Sequence, residues 1–214
     1  MLEKNNSYFS DIRWDIISLI PAGKNKILEI GCGTGITGKT LKEENKAVEV
    51  TGIEKIANIA EQAEKNIDKV ITADIEALEL SFADEYFDYI IMADILEHLY
   101  NPSAVLAKLK KYIQKDGCII ASIPNIRYWK IVRDLVIKGE WTYRADGILD
   151  DTHLRFFTRK SITKLFQSAG FTVDSVKPRF KLQPKKYDNI LNNLTLGILE
   201  EFWTMQYIIM AKNT

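Results

Sequence analysis

The chain has 214 residues, of which 46% are hydrophobic and 27% are charged, a composition typical of one folded globular domain and unlike that of disordered, collagen-like or coiled-coil chains. Lysine plus arginine total 29 and aspartate plus glutamate total 29, so the formal net charge is zero. A general nucleic-acid binder normally carries a basic excess. We therefore predict a single domain over residues 1–214 for which nucleic acid is an unlikely partner.

The sequence has no sign of an extracellular or membrane-spanning protein. Two cysteines, Cys32 and Cys118, are too few for a disulfide framework. Residues 1–10 lack the basic and then apolar order of a signal peptide. No apolar run approaches the ~18 residues of a membrane-spanning helix. We expect a cytoplasmic protein without a membrane span.

Hydrophobic periodicity predicts alternating strands and helices. Apolar residues at helical spacing, including Ile12, Ile16 and Leu19, predict an N-terminal helix that ends at Pro21. Strands are predicted over residues 27–30, 48–53, 70–73, 87–92, 118–123, 171–176 and 206–211. One helix is predicted to follow the first strand and to end near residue 44. Others are predicted over residues 56–67 and 159–169, and a further helix is predicted to begin at residue 102. This alternation predicts an α/β fold with a doubly wound, mostly parallel sheet.

A glycine-rich loop follows the first predicted strand. Gly31, Gly33 and Gly35 occupy the turn from this strand to the next helix, where glycine lets a ligand approach the backbone closely. Gly33, Gly35 and Gly38 also match the spacing of dinucleotide-binding loops, so an NAD-dependent oxidoreductase is an alternative. A tight turn without a ligand is the other alternative.

Two acidic residues are predicted at the same edge of the sheet as this loop. Glu54 ends the second predicted strand and Asp74 ends the third, and the carboxyl ends of parallel strands meet at one edge. A carboxylate after the second strand can accept two hydrogen bonds from a ribose diol. Asp74 followed by the apolar Ile75 suits an adenine. Taken singly, each acid could equally be an exposed loop residue.

Residues 28–35 resemble motif I of the class I S-adenosylmethionine-dependent methyltransferases, and Glu54, Asp74 with Ile75, and residues 87–92 fall where that family has its later motifs. The resemblance implies a seven-stranded Rossmann-like sheet whose last strand, residues 206–211, is antiparallel. It implies S-adenosylmethionine as cofactor and S-adenosylhomocysteine as product. It also implies cofactor-binding roles for Tyr8, Arg13, Glu29, Gly31, Cys32, Gly33, Gly35, Glu54, Lys55, Asp74, Ile75 and Asp94.

The same resemblance gives a role to the N-terminal residues 1–22. In relatives this segment folds over the cofactor, so we expect a helical lid that orders on binding, with Arg13 as a partner of the cofactor carboxylate. A permanently packed helix is the alternative.

Two further stretches narrow the resemblance and imply the class of acceptor. Residues 94–99 resemble the segment after the fourth strand in ubiquinone-pathway O-methyltransferases. Residues 153–158, with Pro124 and Asn125 before them, resemble methyltransferases found beside glycosyltransferases. The implied reaction is methylation of a small-molecule acceptor, O-methylation of a sugar, quinone or related hydroxyl. A non-catalytic methyltransferase-like binding module is a further alternative.

The two histidines are the candidate catalytic bases, since imidazole is mostly neutral at pH 7. His98 follows the fourth predicted strand and His153 ends the insertion; we slightly favour His153. Each could instead be a packing or capping residue. Asp94, Glu97 and His98 match an acid-x-x-Glu-His pattern that binds a divalent ion in some ubiquinone-pathway enzymes, but three ligands from one turn are geometrically tight, and we predict no metal.

An aromatic and basic insertion, residues 125–158, interrupts the alternation after the fifth predicted strand. We expect it to close over the acceptor, because aromatic rings suit sugar faces and guanidinium groups suit phosphate. Alternatively, part of it is a helix whose Trp129, Val132 and Val136 pack on the sheet.

Overall fold

The computed structural model describes residues 10–179 and 200–214. Seven strands form one sheet in the order β3-β2-β1-β4-β5-β7-β6. Only β7 runs against its neighbours β5 and β6 in this described sheet. The predicted seven-stranded, mostly parallel sheet is therefore confirmed. The strands are β1 (Lys26–Ile30), β2 (Glu49–Glu54), β3 (Lys69–Thr72), β4 (Phe87–Ala93), β5 (Ile113–Pro124), β6 (Thr172–Arg179) and β7 (Gln206–Lys212).

Helices connect the strands and cover both faces of the sheet. Asn101 caps α4 by accepting a hydrogen bond from the amide of Ala104 at 3.1 Å, and Thr158 and Ser161 form a capping box at the start of α6. The described helices are α1 (Trp14–Ile17), α2 (Ile36–Glu43), α3 (Ala57–Ala63), α4 (Pro102–Lys110), α5 (Trp129–Arg133), α6 (Arg159–Ser168) and α7 (Glu200–Trp203). A 3-10 turn covers Leu96–His98, and a π-helical turn, Asp134–Lys138, continues α5.

The core has two layers because successive residues of each strand point to opposite faces of the sheet. Ile90 and Met92 of β4 belong to one buried cluster, which includes side chains from α4 and α6. Ile91, between them, belongs to the second cluster on the other face, with Ile16 from α1 and Leu41 from α2. Burial on both faces explains why β4 is apolar throughout its centre.

The N-terminal helix is shorter than predicted. It covers only Trp14–Ile17 and is followed by turns rather than running on to Pro21. Ile16, Ile17 and Ile20 are nevertheless buried. The described part of the expected lid is thus packed on the domain, while Tyr8 lies outside the described residues.

Two other expectations differ from the structure. β5 begins at Ile113 rather than near residue 118, because Ile113 pairs with Phe87 before a bulge that precedes the pairing of Tyr89 with Cys118. Val136 does not pack on the sheet: it is 75% exposed, and no residue of α5 or the following π-helical turn is buried. Across the described ranges, no helix combines the length and apolar character needed to cross a membrane.

Candidate functional site

The glycine loop leaves the carboxyl end of β1 in a backbone conformation that favours glycine. Gly31, Gly33 and Gly35 have φ values of +68°, +54° and +75°. The amide of Gly31 donates to the carbonyl oxygen of Ile53 at 2.7 Å, which ties the loop to β2. A Cβ atom on Gly31 would lie 2.1 Å from Cδ1 of Ile95. The backbone conformation therefore favours glycine at position 31, and a larger residue there would also require the Ile95 side chain to move.

Glu54, the last residue of β2, contacts this loop directly. Its Oε2 accepts a hydrogen bond from the amide of Gly33 at 3.1 Å, and its Oε1 accepts one from the amide of Ile56 at 2.9 Å. The side chain is buried. Since a carboxylate oxygen can accept more than one hydrogen bond, both oxygens keep acceptor capacity for a ligand beside the loop.

Asp74 lies two residues beyond β3 rather than at its last residue. Its Oδ2 accepts from Nζ of Lys55 at 2.8 Å, and its Oδ1 accepts from the amide of Glu76 at 2.9 Å. The hydrogen bond from Lys55 holds the pKa of the Asp74 carboxyl below its usual range. The next residue, Ile75, is buried in the core and exposes little apolar surface. Lys55 and the amide of Glu76 thus orient the Asp74 carboxylate.

Glu29, in β1 just before the loop, is a buried carboxyl. Burial raises its pKa to about 8, against the opposing charge of Arg13. Its Oε2 has no hydrogen-bond partner among the described residues. Cys32, next to it in the loop, is also buried, and burial raises the pKa of its thiol. A buried acid of this kind beside a glycine loop could be satisfied by a cationic or hydrogen-bond-donating group.

Asp94, at the end of β4, is held by a ring of charged and polar side chains. Arg13 donates from Nη1 to Oδ2 of Asp94 at 2.9 Å, and also binds both carboxylate oxygens of Asp15. Gln206 donates to Oδ1 of Asp94 and accepts from Arg179. Arg179 closes the ring on Asp15 at 2.8 Å. The ring joins the N-terminal segment to the ends of β4, β6 and β7.

The two histidines are brought together at the carboxyl edge of the sheet. Their ring centroids are 4.7 Å apart in an edge-to-face arrangement. Nδ1 of His98 lies 3.2 Å from both the carbonyl oxygen and the hydroxyl oxygen of Thr152. The Thr152 hydroxyl in turn donates to Oδ1 of the buried Asp150. Because both oxygens of Thr152 are then acceptors, the contact favours the neutral tautomer of His98 that carries its hydrogen on Nδ1.

His153 has the same tautomer for a similar reason. Its Nδ1 lies 3.0 Å from the carbonyl oxygen of Ile148, which can only accept. His153 is 8% exposed, whereas His98 is half-buried. One ligand atom from each of Glu97, His98 and His153 lies within 4.8 Å of the others. This group, rather than the sequence-derived set with Asp94, has the geometry in which a metal could be held.

Several residues that shape the site had no signal in the sequence. Ser122 donates to Asp94 from β5, and Gln206 reaches Asp94 across 112 positions of the chain. Thr152 directly precedes His153 and Asp150 lies three positions before it, and this proximity in sequence is the one signal that could have drawn attention to them. The insertion brings both of them to His98, which lies 54 positions from Thr152.

Comparison with known proteins gives a consistent result. A family model described as a methyltransferase domain matches residues 5–176. A ubiquinone biosynthesis O-methyltransferase of Psychrobacter arcticus is 29% identical over 161 residues, covering 71% of this chain and 60% of the relative. An uncharacterized protein of Methanocaldococcus jannaschii is 35% identical over 152 residues, covering 71% of this chain and 66% of the relative. The matches span less than two thirds of the length of these two curated relatives.

The fold has close counterparts among solved structures. A SAM-dependent methyltransferase from Archaeoglobus fulgidus superposes with a TM-score of 0.67 at 19% identity, covering 97% of this chain and 94% of that chain. At this level of identity the likeness concerns the fold alone.

Proposed function

This chain belongs to the class I S-adenosylmethionine-dependent methyltransferases, and from that membership we propose that it methylates a hydroxyl oxygen of a small-molecule acceptor, a sugar, quinone or related compound. The family match decides against an NAD-dependent oxidoreductase. The likeness to a ubiquinone-pathway O-methyltransferase supports a quinone-type acceptor, and the resemblance carried by residues 153–158 supports a sugar.

The residues around the glycine loop fit the cofactor of this family. The buried Oε2 of Glu29, which has no hydrogen-bond partner in the described part of the chain, suits the amino group of S-adenosylmethionine. Gly31, Gly33 and Gly35 would wrap its amino-acid portion, with Cys32 as a small side chain within the loop. Arg13 supplies a cation for its carboxylate, close to Asp94.

The acids after β2 and β3 would hold the nucleoside portion of the cofactor. Glu54 keeps acceptor capacity on both oxygens and would bind the ribose hydroxyls. Asp74, oriented by Lys55, would accept from the adenine amine, with Ile75 behind it. These assignments predict that loss of Glu54 weakens cofactor binding.

His98 is the base in this proposal, and the observation that carries the choice is its exposure: His98 is half-buried, whereas His153 is 8% exposed. Thr152 contacts Nδ1 of His98 and orients its ring. When bound, S-adenosylmethionine supplies an electrophilic methyl group on a positively charged sulfur. Nε2 of His98 takes the proton of the acceptor hydroxyl, while Thr152 and Asp150 stabilise the hydrogen on Nδ1. His153, more deeply buried, packs edge-to-face on His98 and limits the motion of its ring. The proposal therefore assigns the base to His98, whereas the sequence slightly favoured His153.

Activity on a panel of catechols, quinols and nucleotide sugars tests the proposal, with S-adenosylhomocysteine production as the readout. His98→Gln is expected to lower kcat by about 10²–10⁴-fold, the usual contribution of a positioned base, with little change in S-adenosylhomocysteine affinity. His153→Gln is the matched control and should reduce kcat less.

The other possible results of these assays would contradict the assignment of His98 as the base. An equal or larger loss in His153→Gln would make His153 the base, and full activity in both variants would exclude both histidines. Binding of S-adenosylhomocysteine by isothermal titration, with no turnover on any acceptor, would instead favour a non-catalytic binding module.

A further inference from the structure

The segment formed by α5, the π-helical turn and the residues up to 143, called the arm (residues 129–143), is unusually apolar at its surface. Leu135, Val136 and Ile137 are 47%, 75% and 78% exposed. Of eleven large hydrophobic side chains exposed in the described ranges, five lie in this arm. A contiguous exposed apolar patch marks a surface for an apolar partner.

Aromatic contacts fix the base of the arm to the domain. The ring of Trp129 lies 6.1 Å from that of Trp203 in α7, and the ring of Trp141 lies 5.2 Å from that of Phe156. The far end is open: a Cβ atom on Gly139 would meet no atom within 4 Å. The arm therefore presents its aliphatic tip, residues 135–137, away from the body of the protein.

The tip is apolar in several directions. Consecutive residues of a helix face directions about a quarter-turn apart, so Leu135, Val136 and Ile137 cannot share one face. A groove on a protein partner would cover one face of a helix, with anchors three or four residues apart. Aliphatic side chains that point in different directions can all be covered at once when the tip enters an apolar medium. The interior of a lipid bilayer is such a medium.

The charges beside the tip favour an anionic surface. The arm contains three cations, Lys130, Arg133 and Lys138, against the two acids Asp134 and Glu140, and Arg144 follows it directly. Asp134 pairs with Arg133 at 2.6 Å and with Lys138 at 3.0 Å, and Glu140 lies 3.7 Å from Lys138. With three cations against two acids, the arm keeps a net charge of +1. Lysine and arginine near an apolar surface can extend their charged ends to phosphate groups. Trp141 and Tyr143, beyond the tip, are residue types that prefer the bilayer interface.

We propose that the arm inserts residues 135–137 into the surface of an anionic lipid bilayer, with Lys130, Arg133 and Lys138 against the lipid phosphates. The protein would then be held on a membrane without a spanning helix. This docking is independent of the acceptor proposed above, because it requires neither the histidines nor the glycine loop.

Co-sedimentation of the full chain with vesicles tests the proposal. We expect stronger binding to mixed phosphatidylcholine and phosphatidylglycerol vesicles than to phosphatidylcholine alone, and weaker binding as salt screens the charges. The double variant Val136→Ser/Ile137→Ser should weaken partitioning by about tenfold or more, since two aliphatic side chains no longer enter the apolar layer. Val48→Ser, at another valine that is 53% exposed, should bind as the parent does.

Melting temperatures equal to that of the parent, measured by circular dichroism, establish that the variants are folded. This control requires neither the cofactor nor the acceptor. The proposal is overturned if the parent does not bind anionic vesicles, or if the tip variant binds them as well as the parent. It is also overturned if light scattering shows a parent dimer that the tip variant loses while neither binds vesicles. The tip would then be a contact between two copies of the chain.

Discussion

Glu54 is placed to serve the loop and the proposed cofactor at the same time. Its two oxygens already accept from the amides of Gly33 and Ile56, so its carboxylate shapes the loop before any ligand arrives. A ribose bound there would meet a carboxylate that is already oriented, which lowers the entropic cost of binding.

Glu54→Ala is therefore expected to weaken S-adenosylhomocysteine binding by about 1.5–3 kcal/mol, the range for hydrogen bonds to a charged group. Isothermal titration measures the effect. Glu61→Ala, at an exposed position of α3, is the control and should bind as the parent does. Equal affinity in both variants would show that Glu54 does not contact the cofactor.

Thr152 gives a second test at a single side chain. Thr152→Val keeps the shape and the backbone carbonyl but removes the hydroxyl that accepts from Nδ1 of His98. Since this acceptor favours the protonated ring, the acidic limb of the kcat profile should move to lower pH, and kcat should fall by about tenfold. Thr152→Ser should restore the parent profile. A profile unchanged in Thr152→Val would mean that Thr152 does not act through His98.

The turn between β1 and α2 is the element whose local chemistry is most demanding. Gly31 and Gly147 both have positive φ, at +68° and +85°, but only Gly31 has a close neighbour for a Cβ atom. The two positions therefore separate backbone strain from steric overlap.

Gly147→Ala is expected to cost about 1–2 kcal/mol, the price of a left-handed backbone at a non-glycine residue. Gly31→Ala should cost more, because the Ile95 side chain must move to admit its Cβ, and it should cost less in an Ile95→Ala background than in the parent. Chemical denaturation measures the free energy of unfolding of the three single variants and the double variant. Equal losses of unfolding free energy in Gly31→Ala and Gly147→Ala would show that the Ile95 side chain moves aside without destabilising the protein.

The sequence predicted the strands well because buried parallel strands are apolar on both faces, as in β4. It predicted the start of β5 poorly because residues 114–117 are polar or glycine and lie in a bulge. Its helical apolar spacing suggested burial for Val136, but spacing does not say whether protein or another medium surrounds a side chain. The hydrogen-bond partners of Asp94 could not be predicted from the sequence, because Gln206 contacts Asp94 only when β7 is in place.

For the molecule as a whole, the buried carboxyl of Glu29 links stability to pH. Its pKa is raised by burial from 4.5 to about 8, so the folded state holds a proton that the unfolded state has released over that interval. The contribution of Glu29 to the free energy of unfolding is therefore fully present below about pH 4.5 and decreases as the pH rises toward 8.

Glu29→Gln, which cannot ionise, is expected to make the free energy of unfolding less dependent on pH across this interval. Denaturation of the ligand-free protein at several pH values measures the slope. Glu61→Gln, at an exposed position, should retain the slope of the parent. A Glu29→Gln slope as steep as the parent's would show that Glu29 is not the group that titrates.

The position of β7 also constrains the order in which the protein can form during synthesis. β7 is made last of the seven strands, yet it lies between β5 and β6. Until it leaves the ribosome, β5 is an open edge with unpaired backbone groups, and β6 has no neighbour in the sheet. A sheet formed from β1 to β5 before residues 206–212 are synthesised therefore has its longest strand, β5, at an open edge. That edge can pair with other chains until β7 is added beside it.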